Sequence, residues 1–373
     1  MTVHVCLVSA QAAPNLLPVL DPELKPEEVV LLTSQKMRNA AEALRAVLTE
    51  LGIRSTIIPL ADEHNYQAIE ETMLQIAGER EGQKIALNLT GGTKLMALVA
   101  QTVAQTADWR SFYVDADTDS ITWLDQQMAG KKLAEQLRLR HYLKAYGFEL
   151  EATPERPQAT REQRDLMQTL ISQIGSLENP LTQLNWLTQQ AEDGRHLEVR
   201  MDAHQADSRS LEALLRNFEE AGMLQVKQNT ICYADETARS FVKGGWLELY
   251  TYDCVARVTG DLSIRDKAAN LAVSNRGVKN EMDIALLARN RLFVIECKTA
   301  RMDKPQAPKA NDTLFKLAEI CRRVGGLGTR GMLASYRPIA DSERKLAGAL
   351  NITLVTGRDL IDLPDRIRAW IRS

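Results

Sequence analysis

Apolar and polar residues follow two different periods along the chain, and the first region contains both. Short apolar runs, typical of buried strands, alternate there with segments whose apolar residues recur every three or four positions, as on one face of a helix. The predicted strands are 3–8, 55–59, 84–89, 111–114 and 121–124, and the predicted helices are 39–51, 65–79 and 93–106. This repetition of strand and helix predicts a parallel sheet with both faces covered, a Rossmann-like α/β domain over residues 1–150.

The second region follows a stretch with two prolines, 151–158, which is typical of a linker. Its pattern predicts three helices and a short hairpin, an arrangement that resembles a winged helix. The predicted elements are helices 161–174, 181–190 and 208–221 and the hairpin 224–233. The third helix carries at least as many acidic as basic residues and would face phosphate poorly, which favours a connector over a nucleic-acid reader for residues 151–236.

The third region, residues 237–373, returns to mixed periods and predicts a second α/β domain. It begins with a helix that runs through Gly244, Gly245, Trp246 and Glu248. The later predicted elements are strands 281–287 and 291–298, helix 312–324, strand 331–334, helix 342–350, strand 352–355 and helix 358–371.

The strand RLFVIECKT carries two charged residues in an apolar frame. Period-two alternation places Glu296 and Lys298 on one face, together with Leu292 and Val294. If the preceding strand turns back through a two-residue turn at 289–290, Asp283 lies opposite Glu296. A three-residue turn would bring Cys297 opposite Asp283 instead.

Two opposed carboxylates repel one another and need compensation. A divalent cation such as Mg²⁺ or Mn²⁺ supplies it, because these ions prefer oxygen ligands from carboxylates, water and phosphate. Lys298 would then position or deprotonate an attacking water, or stabilise charge on the reacting phosphorus. The alternative is an edge strand on which Glu296 and Lys298 form an exposed ion pair.

The pattern D-x(12)-E-x-K on two strands, with an acidic helix before it, resembles the PD-(D/E)XK restriction-endonuclease fold. The resemblance implies catalytic roles for Asp283, Glu296 and Lys298. It also implies that Glu248 corresponds to the acid of the first helix of that fold, which makes Asp283, Glu296 and Glu248 the expected metal ligands. Lys309, Asn311 and Asp312 are candidates for further contacts.

A second candidate site lies in the N-terminal region, where NLTGGTKLM runs from a strand into a helix. Glycines allow close backbone approach, while the helix N-terminus, the hydroxyls and Lys94 offer donors to an anionic ligand. Both the Walker A pattern and the dinucleotide G-x-G-x-x-G pattern are absent. The alternative is a simple tight turn. The candidate ligand-binding residues are Thr90, Gly91, Gly92, Thr93 and Lys94, with Ser9, Gln11 and Thr33 from two other predicted strand ends.

This loop pattern resembles the CARF (CRISPR-associated Rossmann fold) sensor domains. A CARF-like domain, a winged-helix-like middle and a C-terminal PD-(D/E)XK domain are together similar to the ancillary nucleases of type III CRISPR systems. The resemblance implies a homodimer that is activated by a cyclic oligoadenylate, with the tetra-adenylate as the expected ring, and that cleaves DNA, RNA or both with a metal ion.

Composition refines this interpretation. The net charge is −3, yet residues 257–373 hold nine more basic than acidic residues and the remainder holds twelve more acidic ones. The basic surplus coincides with the predicted nuclease, where a polyanionic substrate is held. The five cysteines form no C-x-x-C pair, which excludes a zinc ribbon. With no apolar run long enough for a membrane helix and no signal-peptide pattern, we expect a cytoplasmic protein without a membrane partner.

Two alternatives remain open at this point. The chain is a ligand-responsive transcription regulator if the last domain is an inactive remnant, although such a remnant would have no need to keep Asp283, Glu296 and Lys298. The N-terminal domain also degrades its own activator if it supplies a general base, and the sequence shows no decisive candidate for one.

Overall fold

The N-terminal domain is built on a seven-stranded sheet. The structure, a computed structural model, describes residues 2–124, 130–134, 137–300, 310–325 and 328–373. The strands of this sheet are β1 (Thr2–Leu7), β2 (Glu28–Thr33), β3 (Arg54–Pro59), β4 (Lys84–Asn88), β5 (Arg110–Asp115), β6 (Ser120–Trp123) and β7 (Lys131–Lys132). The helices of this region are α1 (Ala13–Leu20), α2 (Arg38–Glu50), α3 (Tyr66–Glu79), α4 (Lys94–Thr106) and α5 (Leu139–Ala145).

The strand order β3-β2-β1-β4-β5-β6-β7 is that of a Rossmann-like sheet with an added edge. The first five strands in this order are parallel, while β6 and β7 are antiparallel additions. Alternate side chains of β1 enter different core clusters, as Val5 and Cys6 illustrate. Both faces of the sheet are therefore covered, as predicted from the apolar runs.

Two further N-terminal elements complete this domain: a strand whose end at Thr33 was predicted, and a helix that was not predicted. The strand β2 lies between β1 and β3 and places Thr33 at its carboxyl end. The helix α1 contains Pro14 in its first turn and Pro18 further along, a composition that hides a helix from pattern analysis.

The middle region contains helices packed beside a small antiparallel sheet of order β10-β11-β9, consistent with the winged-helix-like prediction. Its elements are α6 (Arg161–Ser172), α7 (Glu178–Asp193), β9 (Glu198–Arg200), α8 (Ala203–Ala206), α9 (Arg209–Glu220), β10 (Leu224–Lys227) and β11 (Thr230–Tyr233). The strand β9 was not predicted, because three residues carry no readable period.

The C-terminal domain has a six-stranded mixed sheet of order β16-β15-β14-β13-β12-β8. Its elements are β8 (Glu149–Leu150), α10 (Glu236–Ser240), α11 (Trp246–Arg257), β12 (Ile264–Asn275), β13 (Val278–Ala288), β14 (Arg291–Lys298), α12 (Ala310–Gly325), β15 (Arg330–Ser335), α13 (Asp341–Ala349), β16 (Ile352–Thr356) and α14 (Leu363–Arg372). A π-helical turn at Phe241–Gly245 separates α10 from α11 where a single helix was predicted.

The N-terminal and C-terminal domains are joined by strand pairing and by a common apolar cluster. The strand β8, from the end of the predicted first domain, pairs with β12 of the C-terminal sheet. One apolar cluster continues from the N-terminal sheet into the C-terminal sheet and includes Phe112 from the former and Val294 from the latter. The boundaries at residues 150 and 236 stay predictions.

Candidate active site and candidate ligand site

The candidate active site lies on the hairpin of β13 and β14. A two-residue turn, Arg289–Asn290, joins the strands, and both residues have positive φ angles, 51° and 55°, as a tight twisted hairpin requires. Ala288 pairs with Arg291 and Ile284 pairs with Ile295. The two-residue turn is confirmed, and Asp283 and Glu296 each lie one residue beyond the last of these pairs.

Strand alternation on β14 also agrees with the sequence. Phe293 and Ile295 enter one core cluster, whereas Leu292 and Val294 enter another. Glu296 and Lys298 share the face of Leu292 and Val294, because the side-chain period of a strand is two. The side chain of Glu296 is 10% exposed and that of Lys298 is 33% exposed, so the carboxylate is nearly buried and the ammonium group is partly buried.

Direct contacts join three of the four predicted catalytic side chains. The Nζ atom of Lys298 lies 2.6 Å from Oε1 of Glu296 and 3.9 Å from Oδ2 of Asp283. The backbone N–H of Cys297 donates a hydrogen bond of 2.7 Å to Oδ2 of Asp283, which fixes this carboxylate against the neighbouring strand. Unlike the exposed ion pair considered as an alternative, the cluster is largely buried.

Burial and mutual repulsion shift the pKa values of this cluster. Burial, followed by the charge of Glu296, raises the pKa of Asp283 to about 7, although Lys298 opposes the shift. Burial of Lys298 disfavours its charged form, but Glu296 and Asp283 together raise its pKa above the ordinary value. Lys298 is therefore protonated at neutral pH, while Asp283 is poised to gain or lose a proton.

The fourth predicted side chain, Glu248, lies in the first turn of α11. Burial raises the pKa of Glu248, the charge of Lys298 lowers it, and the charge of Glu296 raises it. Glu248 therefore interacts electrostatically with the cluster. Across the described parts of the chain, no three His, Cys, Asp or Glu side chains form a group that could hold a metal ion. A third metal ligand from Glu248 stays a prediction.

The connector supplies a contact that sequence reasoning missed. Asn185 on α7 donates a hydrogen bond of 3.3 Å to the hydroxyl of Thr299, next to Lys298. The same hydroxyl donates to the carbonyl of Lys243 at 3.3 Å. No local pattern reveals these contacts, because the partners are far apart in sequence.

The remaining predictions near this site concern the start of α12. Asn311 and Asp312 are exposed in its first turn, whereas Lys309 lies outside the described residues. Contacts of these residues with a substrate stay predictions.

The candidate ligand site lies at the carboxyl ends of β1, β2 and β4. The backbone of Gly91 passes so close to β1 that a Cβ atom there would be 2.0 Å from the carbonyl oxygen of Leu7. Gly92 has a φ of +73°, which favours glycine. Both glycines are therefore needed for the turn itself, and the turn directs α4 toward the sheet edge.

Amides and hydroxyls hold this loop without charge. Asn88 donates to the carbonyl of Pro14 at 2.9 Å and to Oδ1 of Asn15 at 3.0 Å. Its own Oδ1 accepts from the hydroxyl of Thr90 at 2.7 Å. The Thr90 oxygen accepts in turn from the backbone N–H of Val114 at 2.8 Å. Thr90 is thus a brace between neighbouring strand ends.

The other predicted ligand contacts differ in accessibility. Thr93 caps α4 by accepting from the N–H of Met96 at 3.1 Å, and Lys94 is exposed in the next position. Gln11 is exposed and Ser9 half-buried beyond β1. Thr33 is fully buried, and its hydroxyl donates to the carbonyl of Ser34 at 3.1 Å.

Two protein families match the chain. The family described as Card1 CARF domain matches residues 3–142. The family described as Card1-like, endonuclease domain matches residues 235–373, which include the whole cluster on β13 and β14. The chain is a CARF-domain nuclease of the Card1 type. The predicted fold class, a CARF domain followed by an α/β nuclease domain, is confirmed.

Solved structures share this architecture over the full chain. Protein VC1899 from Vibrio cholerae has a TM-score of 0.90 at 25% sequence identity, with 100% of this chain and 98% of that chain covered. Can2 from Sulfobacillus thermosulfidooxidans, solved in complex with cyclic tetra-adenylate, has a TM-score of 0.82 at 24% identity, with 100% of both chains covered.

A third similar structure is larger. It is described as a type III CRISPR defence DNA nuclease activated by cyclic oligoadenylate, has a TM-score of 0.59 at 19% identity, and is matched over 95% of this chain but 48% of its own length. A comparison with curated protein sequences finds no match. Within the part of the chain that the structure describes, no helix is long and apolar enough to cross a membrane.

Proposed function

We propose that this Card1-type protein is a metal-dependent nuclease of type III CRISPR defence that a cyclic oligoadenylate switches on. The observation that carries the proposal is the buried cluster of Asp283, Glu296 and Lys298 on the β13–β14 hairpin, in a chain that begins with a CARF domain. Cleavage of invading DNA, RNA or both would take place in the cytoplasm.

The proposed activator is cyclic tetra-adenylate, the ligand named for Can2. Gly92, Thr93, Lys94, Ser9 and Gln11 offer backbone, hydroxyl, amide and ammonium donors at one sheet edge, where an anion binds well. We assign supporting roles to Thr90, Gly91 and Thr33, which shape the edge from within. A ring with repeated nucleotides suits two copies of this edge, so we propose a homodimer.

The residues of the nuclease cluster fit a divalent cation. Two buried carboxylates face one region, and burial, followed by the charge of Glu296, raises the pKa of Asp283 to about 7. A doubly charged ion relieves such repulsion, and Mg²⁺ or Mn²⁺ is held by one or two carboxylates with water and phosphate oxygens completing the shell. Asp283 and Glu296 would hold the ion, with Glu248 within reach of its charge. A bound ion would supply Lewis-acid activation of the phosphodiester.

Lys298 acts on the substrate side of this arrangement. Because its neighbours keep it protonated, its ammonium group donates hydrogen bonds and stabilises negative charge that develops on the phosphate oxygens. This role is favoured over proton abstraction from water, since the pKa of Lys298 is raised by Glu296 and Asp283.

A cleavage assay tests the proposal. The purified full-length protein is incubated with labelled single- and double-stranded DNA and RNA, with Mg²⁺ or Mn²⁺, and with or without cyclic tetra-adenylate. We expect cleavage that requires a divalent ion, rises with the activator and disappears in Lys298→Met. Absence of cleavage in every combination would favour the transcription regulator, although the assembled cluster gives that function no support.

A further inference from the structure

The CARF domain forms hydrogen bonds with the turn of the hairpin that carries the Asp283, Glu296 and Lys298 cluster. We call β13, β14 and their turn the catalytic hairpin, and residues 115–119, which join β5 to β6, the sensor turn. The side-chain amide of Asn290 donates to the backbone carbonyl of Ala116 and to Oδ1 of Asp119. The two turns therefore meet through the side chain of one nuclease residue.

An arginine of the nuclease domain contacts both Asn290 and Asp119. Arg265 donates to Oδ1 of Asn290 with one guanidinium nitrogen and to Oδ2 of Asp119 with another. Its side chain is only 2% exposed. A charge-assisted pair in such a dry position is strongly directional, so Asn290, Asp119 and Arg265 fix one geometry of the two turns.

A second contact joins the first residue of β14 to the sensor turn. Arg291, the first residue of β14, forms a bidentate pair with Asp117 of the sensor turn: Nε donates to Oδ1 at 3.1 Å and Nη2 donates to Oδ2 at 2.7 Å. Bidentate arginine–carboxylate pairs fix orientation as well as distance. The sensor turn thus holds both the turn of the hairpin and the base of the strand that carries Glu296.

The sensor turn also reaches the candidate ligand site. Val114, which precedes it on β5, donates its backbone N–H to the hydroxyl of Thr90 in the glycine loop. Gln11, Thr90, the first part of the sensor turn and Arg289–Arg291 line one cavity of about 510 Å³ between the domains. A ligand that displaces Thr90 acts on β5 one residue before the sensor turn.

We infer that Asn290 and Asp119 are positioning residues that couple the CARF domain to the catalytic hairpin. The inference rests on the proposed function. According to this inference, the arrangement of the sensor turn decides how Asp283 and Glu296 are positioned relative to Lys298 and to the phosphate group of the substrate. Such coupling needs an element with two arrangements that both sites bias, and the buried contacts at Asn290 make the hairpin move with the sensor turn.

The matched test uses two glycine substitutions in one turn. Asn290→Gly keeps the positive φ of the turn and removes the contacts with the sensor turn. Arg289→Gly relaxes the same turn equally, but its side chain donates within the nuclease domain, to the carbonyl of Arg372 at 3.4 Å. Asp119→Asn is the second variant if Asn290→Gly fails to fold, because asparagine tolerates the positive φ of that position.

The readout is the ratio of cleavage rates with and without cyclic tetra-adenylate, together with activator affinity from calorimetry. We expect the ratio to fall by at least about tenfold in Asn290→Gly and by less than about twofold in Arg289→Gly, with affinity close to that of the wild type in both. If Asn290→Gly lowers both rates by the same factor and leaves the ratio unchanged, the coupling role is overturned.

A second measurement separates this inference from the proposed function. Hydrogen exchange of the catalytic hairpin, recorded without any ligand, is expected to be faster in Asn290→Gly than in Arg289→Gly. Equal exchange would overturn the positioning role. If the wild type shows no stimulation by cyclic tetra-adenylate, the proposed function fails, while the exchange data still decide whether the CARF domain holds the hairpin.

Discussion

The glycine loop of the CARF domain and the hairpin of the nuclease domain use opposite chemistry to build a site. The loop is braced by neutral groups, the amides of Asn15 and Asn88 and the hydroxyl of Thr90, whose polar atoms satisfy one another. The hairpin gathers charge: Asp283 and Glu296 repel each other in a dry setting, and Lys298 compensates only in part.

This difference has a thermodynamic meaning. A neutral, satisfied network costs little to keep folded, so the loop is formed before any ligand arrives. Buried like charges lower stability, and this is the usual penalty for a site arranged to bind a cation or to stabilise a transition state. The ligand site should therefore respond weakly to loss of a side chain, and the nuclease site strongly.

The largest expected effect is on catalysis. Glu296→Gln keeps the size of the side chain but removes a charge that faces Lys298 and the proposed ion. We expect the single-turnover cleavage rate with activator and Mn²⁺ to fall about 100- to 1000-fold. Glu281→Gln, an exposed change on the same hairpin, is the control and should stay close to the wild-type rate. Full activity of Glu296→Gln would show that the nuclease site does not depend on this charge, contrary to the contrast drawn with the glycine loop.

The second prediction concerns stability at the same site. In the folded state the pKa of Asp283 is about 7, above its ordinary value of 3.8, so this group destabilises the fold as the pH rises from 3.8 through 7. Asp283→Asn retains an acceptor for the Cys297 N–H and should be more stable than the wild type by about 4 kcal/mol at pH 8 in metal-free buffer. Denaturant melts at pH 4 and pH 8 measure this, and the difference should vanish at pH 4.

A buried histidine in the CARF sheet, His4, predicts the opposite dependence of stability on pH. Burial lowers the pKa of His4 to about 4 from an ordinary value of 6.5, so stability is lost as the pH falls from 6.5 through 4. We expect the wild type to lose about 2 kcal/mol at pH 5 through this group, and His4→Leu to escape that loss. The exposed His64→Leu is the control. Equal acid sensitivity of all three proteins would contradict the assignment.

The smallest expected effect is at the ligand loop. Lys94→Ala removes one ammonium donor from a site that relies mainly on neutral groups, and we expect about tenfold weaker binding of cyclic tetra-adenylate by calorimetry. Lys84→Ala, at the opposite end of β4, should leave the affinity unchanged. Loss of all binding in Lys94→Ala would show that charge dominates this site as well.

Much of the fold was readable because local patterns carried it. Strands such as β4 and β14 are continuous apolar runs, and the glycine loop lies between β4 and α4 as expected. Among the elements that were missed, β9, β12 and α1 are short, only partly apolar or contain proline, so their pairing and burial come from distant partners.

The sequence alone predicted which residues form the candidate nuclease site, with the length of the hairpin turn left open. A two-residue turn and a period of two place Asp283 opposite Glu296 and put Lys298 on the same face, since strand geometry leaves few other registers. Tertiary structure alone decided that Thr90 is a brace, that Asn185 reaches Thr299, and that Asn290 joins the two domains. These contacts link residues far apart in the chain, and their geometry depends on how whole elements pack.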